Sequence, residues 1–234
     1  VDSSTNGEIL VTYQENNPLV ARFDAGVEFY EGSVDMPAGP RTYFGFGNDK
    51  LGVNYFPLTK EAKTIYVAEI YRMLGQEIVE PVMGVGDNRI MFITPDDRDD
   101  EQVNWLTHQG FDVTKFYPGA LSEAGQDTID MLNAADLIIV GRSPNSGDFD
   151  DPDKEYWNGL TAPLILNAQY AARSSRMNLF DSKKAYHMNE GPEVAYGMVT
   201  APADPVFDAV TLEGDSLPWM LPPHDFIENA DSAT

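Results

Sequence analysis

The chain contains no cysteine among its 234 residues. That excludes disulfides, thiolate catalysis and cysteine-ligated zinc. Histidine is scarce as well, with only His108, His187 and His224. None stands in a His-x-x-Glu or paired-histidine spacing, so the sequence offers no ligand set for a catalytic zinc. No apolar run approaches the ~18 residues that would span a bilayer, and membrane insertion is not expected. Basic residues are few: Lys+Arg 15 against Asp+Glu 38, a formal charge of −23. A field of that sign repels nucleic acid and anionic membrane, and attracts cations and basic partners. Internal repeats and low-complexity tracts are lacking too.

What is present is a globular composition. Hydrophobic residues make up 42%, enough for a packed core, and the length suits one large domain or two small ones. Many acids without cysteine suit a secreted protein in saline surroundings, so an extracellular or cell-surface location is expected. Val1–Gly7 reads like a processed or truncated end. The stretch from Gly214 onward shows little periodicity, and the fold is expected to continue past Thr234.

Two textures divide the chain. Residues 1–76 read as β-rich: Glu8–Tyr13, Leu19–Phe23, Val27–Tyr30, Arg41–Phe46, Leu51–Phe56 and Thr64–Arg72 are short, rich in β-branched and aromatic residues, and punctuated by Gly, Pro or Asn. Closely spaced strands of this kind predict a β-sandwich or jelly-roll piece. Residues 77–88, with Pro81, Gly84 and Gly86, read as a linker. From residue 89 to 234 the pattern alternates between strand and helix. Arg89–Thr94, Phe111–Tyr117, Asp136–Gly141 and Pro163–Asn167 are strands, the third buried on both faces because four apolar residues run in succession. Asp99–Gly110, Ser122–Ala135, Tyr156–Leu160 and Gln169–Met177 are the helices between and after them. Ala185–Asn189 is a further strand. The predicted class is α/β: a flavodoxin-like doubly wound parallel sheet in 2-1-3-4 order, preceded by a β-sandwich-like region.

Three segments carry a resemblance. "RIMFITPDDRDDEQVNWLTHQGFDVTKF", "ADLIIVGRS" and "YWNGLTAPLILNAQYAARSSRMNLF" together resemble the class I glutamine-amidotransferase-like superfamily, including its ThuA-like members. Ala201–Leu212 is similar to a late HPxFxGV-like segment of those domains, with Asp204 where histidine is common. The resemblance implies a flavodoxin-like domain over about half the chain. Its catalytic cysteine is missing: the turn that would carry it reads Asn167-Ala168-Gln169-Tyr170, with no Gly-x-Ser-x-Gly either. Cysteine-dependent amidotransfer is therefore excluded by chemistry.

Function in such sheets sits in loops at the carboxyl ends of the strands. Asn167, Gln169, Tyr170 and Arg173, with Arg142 and Ser143 after the central strand, are the candidate ligand-binding residues, suited to a sugar or a carboxylate. The same six also read as strand caps and a solvated helix. Thr94–Asp100 places four carboxylates where a flavodoxin would cradle phosphate, so FMN and nucleotides are not expected. Asp148–Glu155 holds five carboxylates in eight residues. Asp148, Asp150 and Asp153 are candidate Ca²⁺ ligands there, although the spacing is not an EF-hand and an acidic solvated face reads the same way. Calcium is the one candidate cofactor. A Ser143/His187/Asp148 hydrolytic arrangement can be drawn, yet Ser-Pro-Asn-Ser-Gly reads first as a turn. Tyr43–Phe46, Tyr55, Phe56 and Tyr71 offer either a sugar-stacking face or core packing. The expectation is a non-catalytic extracellular binding or structural protein, in surface assembly or glycan contact, with a glycan, a protein or further copies of itself as partner. The alternative is a hydrolase or carbohydrate-active enzyme using the same loops.

Overall fold

The computed structural model describes residues 5–14, 17–46, 56–77, 88–188, 194–221 and 224–227, with the backbone alone described at 185–188 and 224–227. Three strands open the chain: β1 (Glu8–Tyr13), β2 (Asn17–Phe23) and β3 (Arg41–Phe44). Each is an apolar, β-branched or aromatic run, and they pair antiparallel in sequence order. Val27–Tyr30 is not a strand, since its one pairing is an isolated bridge from Tyr30 to Thr5. The expected strand at 51–56 falls almost wholly outside the described residues, as does most of the expected linker.

Thr64–Arg72 is a helix, not a strand. It lies within α1 (Lys60–Met73), whose residues 62, 65, 66, 69, 70 and 73 are buried with helical spacing. Tyr71, Val67 and Ala68 are buried too, so the helix is apolar nearly all round and its period is masked. Its ends are chemically marked. The Thr59 hydroxyl accepts from Ala62 N at 3.2 Å, an N-cap. Gly75 sits at φ +67, while Gly75 N and Gln76 N donate to Arg72 O and Tyr71 O, the two bonds of a Schellman stop.

The chain then alternates: β4 (Arg89–Ile93), α2 (Asp100–His108), β5 (Asp112–Phe116), α3 (Gln126–Asn133), β6 (Leu137–Val140), α4 (Asp153–Gly159) and β7 (Leu164–Leu166). Gly125, at φ +78, divides the helix expected over Ser122–Ala135, leaving only a 3-10 turn at Leu121–Glu123 before α3. After β7 only a 3-10 turn forms, Gln169–Ala172, rather than a helix reaching Met177. Strands β8 (Ala185–Met188), β9 (Ala195–Val199), β10 (Ser216–Met220) and β11 (His224–Ile227) follow. The stretch beyond Gly214, expected to be featureless, thus contributes two of them.

All but β8 and β11 join one nine-stranded sheet, ordered β10-β9-β1-β2-β3-β7-β6-β4-β5. β3, β7, β6, β4 and β5 are mutually parallel; β10, β9, β1 and β2 continue the sheet antiparallel. The class is mixed α/β. The sandwich expected at the start does not form, because β3 hydrogen-bonds β7 edge to edge and the early strands extend the parallel sheet rather than stack upon it. β8 and β11 make a separate antiparallel pair.

Alternation along the strands fills a core on each face. Phe44, Ile90, Phe92, Leu137, Ile139 and Ile165 point toward α1 and α2. Tyr43, Ile93, Ile138, Val140, Leu164 and Leu166 point toward α3 and α4. A polar clamp anchors α1 to the sheet. Fully buried Glu69 accepts from Arg22 Nη2 at 2.7 Å, Arg72 Nη2 at 2.7 Å and Thr42 Oγ1 at 2.6 Å, while Arg22 Nη1 reaches Asp204 at 2.5 Å. Burial pushes the Glu69 carboxyl up, but bonds from Arg72 and Arg22 outweigh it and hold the group below the usual range.

Candidate functional site

The order in which the chain lays down its parallel strands opens a crevice. From β4 the chain crosses to β5 by way of α2, then returns past β4 to β6 and on to β7 by way of α3 and α4. These helices lie on opposite faces. Loops leaving the carboxyl ends of β4 and β6 therefore diverge, and a cleft forms between them. A cavity of about 620 Å³ lies there, within the usual size of small-molecule sites. Pro95 and Arg98 come from the loop after β4, Tyr117 from the end of β5, and Arg142–Ser146 from the loop after β6. Ala168, Tyr170 and Arg173, after β7, close the wall.

Asp99 holds this edge together from beneath. It is buried at 1% exposure and accepts from Thr94 Oγ1 at 2.9 Å, Ser143 Oγ at 2.6 Å, and the backbone N–H groups of Arg142 and Ser143 at 3.2 Å each. The Thr94 and Ser143 hydroxyls also lie 2.8 Å apart. Gly141 permits the approach, since a Cβ there would collide with the Asp99 carboxylate and the Phe92 ring. One carboxylate thus ties the β4 loop to the β6 loop.

Three arginines reach the cavity, each held differently. Arg98 pairs with Asp96, its Nη2 at 2.8 Å, and this contact holds the Asp96 carboxyl below the usual range. Arg142 is buried, 3.7 Å from Asp99, with its guanidinium over the Phe46 ring at 5.5 Å. Arg173 donates from Nε to Tyr170 O at 2.9 Å and from Nη2 to Ser146 Oγ at 3.3 Å, and it covers the Tyr170 ring at 5.0 Å. No carboxylate among the described residues pairs with Arg173. Burial, with neighbouring Arg176, lowers its pKa. Tyr117 donates to Asp148; burial and that carboxylate push the phenol up to about 12, so it stays protonated at neutral pH.

Of the six residues singled out for ligand binding, Arg142, Ser143, Tyr170 and Arg173 meet on the cavity wall. Asn167 and Gln169 do not. Asn167 is fully buried: its Oδ1 accepts from Tyr66 Oη and Gln102 Nε2, each at 3.0 Å, and its Nδ2 donates to Phe44 O at 3.1 Å. Strand alternation explains the side it takes, because Ile165 and Asn167 face the α1/α2 layer while Leu166 faces the other. Gln169 is 1% exposed and its amide has no hydrogen-bond partner among the described residues.

Asp148, Asp150 and Asp153 are not gathered around a common point. Asp148 takes the Tyr117 hydroxyl, Asp150 lies 3.6 Å from Arg176, and Asp153 accepts from Ser122 N at 2.7 Å. Among the described residues no group of three or more His, Asp or Glu side chains is placed to hold a metal ion. The drawn Ser143/His187/Asp148 arrangement is not assembled from its described parts: Ser143 turns to Asp99 and Asp148 to Tyr117, while the His187 side chain lies outside those described. His108 is exposed on α2 and bonded to Asn104 O. Of the two readings of the aromatic set, its described members take core packing, and Tyr55 lies outside the described residues. Tyr43, Phe44, Phe46, Phe56 and Tyr71 are all core residues, with Phe44 stacked on Trp219 at 5.1 Å and Phe46 edge-on to Phe56 at 5.3 Å.

Arg98, Tyr117, Asn145 and Ser146 are wall residues that the sequence did not single out for ligand binding. Their one signal is position, since each follows the carboxyl end of a parallel strand. The acid-rich segment Thr94–Asp100 hid Arg98. Its carboxylates do not converge on the cleft: Asp99 faces the interior, Asp96 pairs with Arg98, and Asp100 pairs with Lys115 at 2.5 Å.

No protein-family model matches the chain, and no curated protein does. A solved structure, that of IMPa from Pseudomonas aeruginosa in complex with an O-glycopeptide, aligns at TM-score 0.34 and 10% identity over 71% of this chain. The chain spans 18% of that protein's length.

Proposed function

We propose that this is a non-catalytic binding protein, acting outside the cell, whose ligand enters the cavity at the carboxyl edge of the parallel strands. Strand order supports a doubly wound, flavodoxin-like reading of this half: the four strands from β4 to β7 stand in second-first-third-fourth order, with the cavity where the winding reverses. The observation that carries a binding rather than catalytic reading is the state of Ser143. Its hydroxyl is tied to Asp99 and Thr94, and Asp99 in turn carries two backbone N–H bonds. The pair serves as a fastener between loops, and no described imidazole stands beside it. Among the described residues no helix is long and apolar enough to cross a membrane.

Glycans and carboxylates are the ligand classes this wall suits, since guanidiniums, hydroxyls and an amide line it. A hydrolase is the second reading, favoured by the 2.6 Å contact between the Oγ of Ser143, on the cavity wall, and the carboxylate of Asp99 buried behind it. Thermal-shift screening of a glycan and carboxylate panel, followed by NMR of any hit, separates the two. Binding raises Tm and leaves the ligand spectrum unchanged over a day. Product signals that vanish in Ser143→Ala would establish the hydrolase instead.

A further inference from the structure

Resting on the binding reading of this cavity, we infer that its ligand is a sugar acid: a carboxylate carried on a polyhydroxylated ring. Charge points there first. In a chain where acids outnumber Lys and Arg by 38 to 15, the described residues of the wall include three arginines and no acid. Carboxylates behind the wall have partners of their own: Asp96 pairs with Arg98, Asp99 fastens the loops beside Arg142, and Asp148, which keeps its charge, accepts from Tyr117. The guanidinium of the wall that has no carboxylate partner among the described residues is that of Arg173. Its Nε and Nη2 are held in place, whereas its Nη1 makes no hydrogen bond to a described residue. A guanidinium fixed by two of its nitrogens, with another free beside a cavity, is prepared to bind a carboxylate at little ordering cost.

Shape and neighbours narrow the class. A space of about 620 Å³ is far larger than an inorganic anion requires and fits one or two sugar rings. Among the described residues of the wall no glycine-rich turn presents a row of N–H groups; Pro95 and Pro144 stand in the two loops that would supply it, which argues against a phosphate cradle. Sharing the wall with the arginines, the Asn145 amide and the Ser146 and Tyr117 hydroxyls match ring hydroxyls rather than a base or an acyl chain. The overall negative field disfavours a long polyanion at large. A single acid group entering a local positive cleft avoids most of that repulsion.

The experiment is calorimetric titration of the full chain with glucuronate, glucose, acetate and phosphate at fixed ionic strength. The titrations are repeated with Arg173→Met and Arg173→Lys, and Tm is recorded for each variant. Glucuronate is expected to bind at least about tenfold more tightly than glucose or acetate. Arg173→Met should cost about tenfold or more, with partial recovery in Arg173→Lys at unchanged Tm. Equal affinity for glucuronate and glucose would overturn the acid requirement while leaving the cavity a sugar site. Acetate or phosphate binding as well as glucuronate would overturn the sugar requirement and leave a general anion site. Should Arg173→Met be unfolded, Arg173→Lys matching wild type in every titration would likewise count against the inference. If none of the four ligands binds, the sugar-acid assignment fails. The binding reading itself falls only if the wider panel also leaves Tm unmoved.

Discussion

Asp99 joins two loops with two oxygens, and its removal should show it. Asp99→Ala takes the acceptor from two buried backbone N–H groups and removes the charge that faces the Arg142 guanidinium at 3.7 Å. Breaking a buried charge pair in this way costs about 3–5 kcal/mol. For a chain of this size that lowers Tm by on the order of 10 °C, measurable by calorimetry. A change of a degree or two would mean that the loops are held by something else. None of this was legible from the residues alone, because Asp99 stands among acids that look alike: Asp96, Asp97 and Asp100. Only the fold decides which one turns inward. The same holds for Asn167, which sits at the strand end where a binding residue was expected. Alternation sends its side chain to Tyr66 and Gln102 instead.

At the scale of elements, the caps of α1 separate what a sequence reveals from what it conceals. The apolar run TIYVAEIYR carries β-branched and aromatic residues, and burial on nearly every side erases the helical stripe. Thr59 and Gly75 nevertheless mark both ends. Thr59→Ala should lower stability by about 1 kcal/mol, the usual value of an N-cap. Gly75→Ala should cost about 1–2 kcal/mol, because a side chain is strained at φ +67. Denaturant melts measure both, and a neutral Gly75→Ala would contradict the Schellman stop. The parallel strands β4, β5, β6 and β7 were readable to within a residue or two. Short apolar runs flanked by turn residues have few other uses in an α/β chain. The joining of β3 to β7 was not readable, since edge-to-edge pairing leaves no local trace in either segment.

For the molecule as a whole, the link between the α1 layer and the sheet depends on pH. Glu69 and Asp204 are both held below the usual carboxylate range: burial pushes each up, but Arg72 and Arg22 outweigh it at Glu69, and Arg22 with the Val206 N–H outweighs it at Asp204. A carboxylate depressed in the folded state stabilises fully above its unfolded value, near pH ~4. That contribution is lost as pH falls through the folded value. Wild-type stability should therefore fall more steeply than that of Glu69→Gln between about pH 5 and pH 2. Loss of self-repulsion from a charge of −23 accompanies acidification in both proteins, so the difference between them isolates the clamp. Parallel curves would mean that Glu69 is not held as its contacts imply.

The most direct test of a binding cavity at the reversal of the winding is amide NMR of the whole chain during titration with glucuronate. Shifts are expected to cluster at 95–98, 142–146 and 168–173, with the strands of the antiparallel half unmoved. Saturable shifts that map elsewhere on the sheet, with these loops silent, would contradict it.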